Sequence, residues 1–385
     1  LDIKGSNSDQ GANTNWVDEV TRTGISQVHN LSLSGGFGNT NYRASLNLRD
    51  INGVGQVSGF TQLNGRLNLT QKALNDKLTV SIDVANTVRE ADFGFAEAYR
   101  YANLYNPTAP VTSNDPVYEN FGGYFQSPNF DYFNPRAILD QNRNEGELKT
   151  LLTTIRGAYE IIDGLEASVF VSRQRRSNLF GEFYSRQSFF RGGANEAGEG
   201  VLGRARRYTE DETNDLLEAT LTYDKDFGST NLEILGGYSF NEIEYQGYGI
   251  EGTGLPSDAF GYDNLGVLQA ITDQTVPLSV FSSRNNYRVI GFFGRARASI
   301  DNTYNFMGSL RYEGSSRFGE GNKWGIFPAV SASVMLSNLI ELDAFDELKL
   351  RAGFGVTGAL PPTSYTSLQR FGQENFFLFN GEYIP

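Results

Sequence analysis

The chain has 385 residues, with 43 Gly, 11 Pro, no Cys, one His and a formal net charge of −13. The absence of Cys excludes disulfide frameworks, thiol nucleophiles, iron–sulfur clusters and cysteine zinc sites. The lone His29 leaves no His pair for a metal, and the acidic balance argues against nucleic-acid binding.

No run of about 18 apolar residues is present, so no transmembrane helix is expected. The residues from Leu1 onward do not read as a signal peptide. Phe (28) and Tyr (20) far outnumber Trp (2) and Met (2). With the high glycine content, this composition implies many turns and many amphipathic rings, hence a β-rich protein.

Taken in chain order, the dominant signal is alternation with a period of two, which marks strands with one apolar and one polar face. Tyr42, Ala44, Leu46 and Leu48 oppose Arg43, Ser45, Asn47 and Arg49. Leu63, Leu67 and Leu69 oppose Gln62, Arg66 and Asn68, and Val80, Ile82 and Val84 oppose Ser81, Asp83 and Ala85. The pattern predicts twelve strands. The first six are Val28–Phe37, Thr40–Ile51, Phe60–Gln71, Leu78–Phe93, Leu148–Ile162 and Leu165–Arg176. The second six are Thr209–Phe227, Asn231–Glu244, Arg284–Ile300, Tyr304–Glu313, Trp324–Leu336 and Leu348–Thr357.

The connections alternate between short and long. Gly38–Asn39, Asp163–Gly164 and Asp301–Thr303 are tight; Gly94–Glu147, Ser177–Tyr208 and Tyr245–Ser283 are long. Asn338–Glu347 departs from this, with room for a helical turn. Such a meander is expected of a transmembrane β-barrel with tight periplasmic turns and long extracellular loops. A soluble sandwich or propeller would carry similar loops at both ends and a polar face dense in Lys and Glu. Here the polar face holds Gly, Ser, Asn and Arg. Leu46, Leu67, Val80, Leu221, Ile234, Phe292 and Leu350 are expected to face lipid. Unpaired backbone groups cost several kcal/mol each in hydrocarbon, so a spanning sheet must close.

The first strand runs into a short turn and the last runs away from one, which places both on the extracellular side. Residues 1–385 are therefore expected to be one partial barrel domain, with strands missing on either side. The Asn375–Ile384 stretch is apolar enough to begin a further strand.

At these residues a resemblance emerges. Asn13–Thr23, His29–Gly36, Thr40–Leu46, Asn106–Val111, Arg311–Gly319, Trp324–Val330 and Leu348–Gly358 together resemble signatures of SusC-like (RagA-like) TonB-dependent outer-membrane transporters of Bacteroidetes. The resemblance implies a multi-pass barrel of about 22 strands in the outer membrane, filled by a plug. It also implies import of glycans or peptides, a SusD-like surface lipoprotein as partner, and TonB–ExbB–ExbD acting through the plug segment. Plug, TonB box and C-terminal strands are not recognised in the chain. Other readings of the same strands are a self-contained twelve-stranded passive pore or autotransporter translocator, and a structural scaffold in a secretion or surface complex.

Three constellations are candidates for contact. Twelve aromatics fall between Phe93 and Phe133. Within the long extracellular loop of residues 94–147, Tyr99, Tyr101, Tyr105, Tyr118, Phe121, Tyr124, Phe125 and Tyr132 are candidate ligand- or partner-contacting rings. The competing reading is that they pack on one another. Strand parity directs Arg43, Arg66, Asp83, Arg156, Glu160, Arg295, Arg297, Arg311 and Arg351 to the lumen, toward a plug or a pore. An arginine cluster, Arg173, Arg175, Arg176, Arg186, Arg191, Arg204, Arg206 and Arg207, brackets the loop after the sixth strand. It is suited either to anionic lipopolysaccharide at the outer leaflet or to pairing with the adjacent carboxylates. No catalytic residues, metal ligands or cofactor are indicated. His29 and Ser32 fall on opposite strand faces, and no calcium-loop pattern occurs.

Overall fold

The computed structural model describes residues 9–127, 132–191, 202–273, 278–340 and 346–369, and the backbone of 377–379 and 382–384. Twelve strands form one antiparallel sheet in sequential order. They are β1 Gln27–Phe37, β2 Thr40–Asn52, β3 Gly59–Ala73, β4 Leu78–Asp92, β5 Asn142–Ile162, β6 Leu165–Tyr184, β7 Arg204–Phe227, β8 Thr230–Thr253, β9 Leu278–Ile300, β10 Tyr304–Ser315, β11 Trp324–Met335 and β12 Lys349–Gly355. Each predicted strand is present. Among the described residues β1 and β12 are the outer strands and do not pair with each other.

Five strands are longer than predicted by five residues or more, all at the loop-rich end. β5 starts at Asn142, β6 continues to Tyr184, β7 starts at Arg204, β8 continues to Thr253 and β9 starts at Leu278. The long connections shrink accordingly, so the 94–147 stretch ends as a strand. The reason is pairing. These extensions carry charged residues and glycines that break the alternation, but the ladder continues through them, from Ser177 opposite Asp211 up to Tyr184 opposite Arg204. Backbone hydrogen bonds and cross-strand charge pairs sustain a strand that periodicity does not show.

The tight turns follow local chemistry. Asp301 and Asn302 both take positive φ, 50° and 52°, as a hairpin turn of the primed type requires and as Asp and Asn tolerate. Gly164 has φ 78°, and a Cβ there would lie 2.4 Å from the Asp224 carbonyl oxygen.

Register sorts the side chains. Leu33, Ala44, Leu67 and Val84 stand in one row across β1–β4. By the same alternation, Leu46, Leu67, Val80, Leu221, Ile234, Phe292 and Leu350 all share one face. Arg43, Arg66, Asp83, Arg156, Glu160, Arg295, Arg297, Arg311 and Arg351 share the other. The apolar face is uncovered: Leu46, Leu67, Leu221, Ile234, Phe292 and Leu350 are all exposed.

Phe377–Phe379 (β13) and Glu382–Ile384 (β14) pair with each other as a separate two-stranded hairpin. The expected further strand is thus a hairpin apart from the wall, and Asn375 and Phe376 lie outside the described residues. At Asn338–Glu347, Leu336–Asn338 is a single 3-10 turn, and 341–345 lie outside the described residues.

Candidate functional site

The loop-rich end carries a compact body built from residues 9–22 and 94–141. Among its described residues are three short α-helices, α1 Trp16–Val20, α2 Ala96–Ala102 and α3 Pro135–Gln141, and a 3-10 helix at Pro116–Phe121. Its core gathers Trp16, Val20, Phe95, Ala98, Tyr101, Tyr105, Phe125, Ile138 and Leu139 with Tyr184 from the tip of β6. Asn134 starts α3, since its side chain accepts from the Arg136 and Ala137 amides. Its Nδ2 donates to the Val111 and Phe125 carbonyls, both at 2.9 Å.

The candidate rings divide by burial. Tyr101, Tyr105, Phe121 and Phe125 are buried, while Tyr99, Tyr118, Tyr124 and Tyr132 are half-buried. Tyr105 meets Trp16 edge-on at 4.7 Å and stacks on Tyr132 at 4.7 Å. Tyr118 packs on Phe125, Tyr101 on Phe133 and Phe121 on Phe189. Tyr124 donates to Asp140 Oδ2 at 2.7 Å and Tyr99 to the Gln56 carbonyl at 3.1 Å. The buried four therefore present no free ring face to a ligand. Phe130 lies outside the described residues. Burial pushes the Tyr105 hydroxyl well above the ordinary tyrosine range. Burial, then the neighbouring Glu182, pushes Tyr184 up to about 12.

The polar face of the wall is a hydrogen-bonded lattice. Asn47 Nδ2 donates to Asn30 at 2.6 Å, Asn64 Nδ2 to Asn47 at 2.9 Å, and Thr87 to Asn64 at 2.8 Å. Arg66 pairs with Asp83 at 3.2 Å, Arg156 with Glu166 at 3.8 Å, Arg295 with Glu233 at 2.5 Å and Arg311 with Glu313 at 2.5 Å. Among the described residues Arg43, Arg297 and Arg351 form no ion pair with Asp or Glu.

The arginine cluster sits mainly on strands, and alternation splits it between the two faces. Arg176, Arg204 and Arg206 share the polar face, paired with Glu212 at 3.3 Å, Glu251, and Glu182 at 3.1 Å. Arg173, Arg175 and Arg207 share the apolar face; Arg173 holds Asp215 at 2.6 Å and Arg207 holds Asp263 at 3.2 Å. Arg191 reaches Glu97 at 2.7 Å. The Arg186 amide donates to Asp258.

Sequence reasoning missed two features. Residues 254–273 fold over the apolar-side surface of the strand tips, with Leu255, Leu268 and Ala270 packed on Phe183 and Ala205. The Tyr262 hydroxyl donates to Glu145 at 2.7 Å, and its ring lies over Gly181. Below this flap a groove is lined by Arg22, Asp50, Glu90, Asp92, Glu145 and Glu147. Glu90 stands opposite Glu147 and Asp92 opposite Glu145. Burial, then the Glu145 charge, raises the Asp92 carboxyl. The only signal in sequence was the acidic pair of stretches 90–92 and 145–147. Among the described residues no group of three or more His, Asp or Glu is placed to hold a metal ion.

This two-faced wall with a folded body at one end has known counterparts. Over 371 residues the chain is 28% identical to the TonB-dependent receptor SusC of Bacteroides thetaiotaomicron, covering 90% of this chain and 35% of that protein. It is 28% identical to TonB-dependent receptor P3 of Formosa agariphila, covering 94% of this chain and 35% of that protein. The chain is thus similar to TonB-dependent receptors over nine-tenths of its length. No family model matches it. The structure of the RagAB peptide transporter superposes with a TM-score of 0.73 at 18% identity, over 89% of this chain and 38% of that one. The fold is therefore part of a TonB-dependent transporter barrel. The chain spans about a third of the length of these two sequence relatives.

Two stretches that carry the SusC-like resemblance meet in space. The Ala12 and Thr14 amides donate to the Thr108 and Pro107 carbonyls, both at 2.8 Å. Trp16 Nε1 donates to the Asn106 carbonyl at 2.9 Å. Asn13–Thr23 is thus the strap that closes over Asn106–Val111. In the same way Arg317 of the Arg311–Gly319 stretch lies over Tyr287 at 3.7 Å and donates to the Pro361 carbonyl.

Proposed function

We propose that the chain forms wall and extracellular loops of an outer-membrane, TonB-dependent importer that takes up glycans or peptides with a SusD-like surface lipoprotein. The observation that carries this reading is the two-faced wall. One face is apolar and uncovered, the other is a polar lattice, and the sheet belongs to the transporter barrel fold. In hydrocarbon the apolar face is favourable and every backbone group must be paired. The free edges of β1 and β12 then call for further strands, which disfavours a self-contained twelve-stranded pore. The polar face encloses the lumen, and Arg43, Arg297 and Arg351 are the side chains available to a plug. TonB, with ExbB and ExbD, would act through that plug. The folded body at the loop-rich end lies outside the cell and offers Tyr99, Tyr118, Tyr124 and Tyr132 to ligand or lipoprotein.

The test is purification of the protein from outer membranes, with bound lipoprotein and ligand identified by mass spectrometry. A co-purifying surface lipoprotein and a glycan or peptide are expected. A protein found without lipoprotein, conducting ions as a constitutive pore, would overturn the reading.

A further inference from the structure

Resting on the assignment of the polar face to the lumen, a second observation concerns cations on that face that hold no carboxylate. Toward the turn-side end of β9–β12 the wall forms a hollow of about 360 Å³. Arg297, Lys349 and Arg351 line it, with Asn305, Ser331 and Ser333 between them. Register puts all six on the polar face. One row runs Arg297–Met307–Ser331–Gly353 and the next Ser299–Asn305–Ser333–Arg351. Three strand spacings separate Arg297 from the β12 pair, about 14 Å, and Lys349 lies about 7 Å from Arg351 along β12. The Asp301–Asn302 turn closes this end of β9 and β10, so the hollow belongs to the periplasmic rim of the lumen.

All three cations are exposed, and among the described residues none pairs with Asp or Glu. Arg297 stands opposite Glu233, but Arg295 holds that carboxylate at 2.5 Å. No acidic residue lines the hollow. Elsewhere on this face Arg66, Arg156, Arg295 and Arg311 are each paired. Like charges repel, so gathering three of them does nothing to stabilise the wall itself. It prepares the wall for an anion. A concave surface of one sign also raises the local concentration of counter-charged solute.

We propose that this hollow takes the acidic groups of an anionic oligosaccharide on its way out of the lumen, which makes the imported glycan a uronate-bearing one. Arg297 and Arg351 each meet a carboxylate through charge-assisted N–H donors, and Lys349 adds a third positive charge. Asn305, Ser331 and Ser333 supply neutral amide and hydroxyl groups to the sugar hydroxyls. A plug that covers Arg297 and Arg351 at rest uncovers them as it moves. A peptide brings an ammonium group along with its carboxylates, and the hollow has no acidic side chain to receive it. A uronate chain carries one sign of charge only.

Native mass spectrometry of the protein purified from outer membranes tests this, with hexagalacturonate, its fully methyl-esterified form and hexaglutamate as probes. The first two share one backbone and differ in charge. The wild type is expected to retain hexagalacturonate at least tenfold more than the ester or the peptide. R297Q/K349Q/R351Q is expected to lose that preference, whereas R297K/R351K, which keeps the charges, retains it. The comparison of probes on the wild type stands even if a variant does not fold. No difference between acid and ester would overturn the proposal, as would a preference that survives the triple substitution. Hexaglutamate held as well as hexagalacturonate would overturn the assignment to a glycan. Uptake of labelled hexagalacturonate by energised and de-energised cells reports import separately. A protein that binds the acid but imports nothing refutes the transporter reading; one that imports without regard to charge refutes only the anion site.

Discussion

The wall and the loop body are held together by different forces. In the body, large side chains are buried in an ordinary core, with Ile138 and Tyr101 nearly free of solvent contact. In the wall, side chains of the same kind stand exposed, Leu46 and Phe292 among them. Its order comes from the unbroken ladder of backbone hydrogen bonds, and its apolar face is stable only against another apolar phase. One chain therefore contains a body closed over its own core and a wall whose apolar face is left uncovered, joined at the tips of β4, β5 and β6.

That contrast can be broken from either side. The largest effect is expected in the body: I138A should cost about 3–4 kcal/mol by leaving a cavity. Hydrogen exchange should then rise across residues 94–141 while β1–β4 stay protected. Equal loss in both regions would mean the body has no core of its own. Next come charges on the wall. Arg in place of Leu221 or Leu67 should cost about 2–4 kcal/mol near the midplane, whereas Arg in place of Asn47 or Asn68 should cost far less, read from folding into lipid vesicles. Similar costs on both faces would refute the lipid assignment.

N134A comes third. It removes the α3 cap and leaves the Val111 and Phe125 carbonyls without their donor, for about 1–3 kcal/mol. The measurement is protease sensitivity of the 94–141 body in intact cells.

The smallest effect is on pH. Tyr184 titrates near 12 in the fold, above the ordinary tyrosine value near 10. The folded body therefore holds its proton where the unfolded chain releases it. This stabilisation is complete below about pH 10 and declines above it, by at most about 1.4 kcal/mol per pH unit. Trp16 fluorescence should report loosening of the body between about pH 10 and 12, and Y184F should flatten that response while the wall is unchanged.

Legibility followed the same division. Alternation gave twelve strands and both faces of the wall, because each side chain's face follows from its parity along the strand. It stopped short at the strand tips, where Ser177–Tyr184 and Tyr245–Thr253 place rings on both faces and are kept extended by their neighbours. The arginine cluster was visible as composition, yet Arg175 and Arg176 belong to opposite faces. The aromatic loop was visible as a concentration of rings, but which rings were buried was not, since Tyr105 is enclosed by Trp16 from about ninety residues away.

The sequence by itself determined the strand count, the alternation of connection lengths and the sorting of side chains, because all three depend on neighbours within a few residues. Only the tertiary structure decided the rest. The strap of Asn13–Thr23 over Asn106–Val111, the flap of Tyr262 on Glu145, and the pair of Arg173 with Asp215 each join segments far apart in the chain. No local pattern encodes such meetings; they follow from strand register, which is settled when the whole sheet pairs.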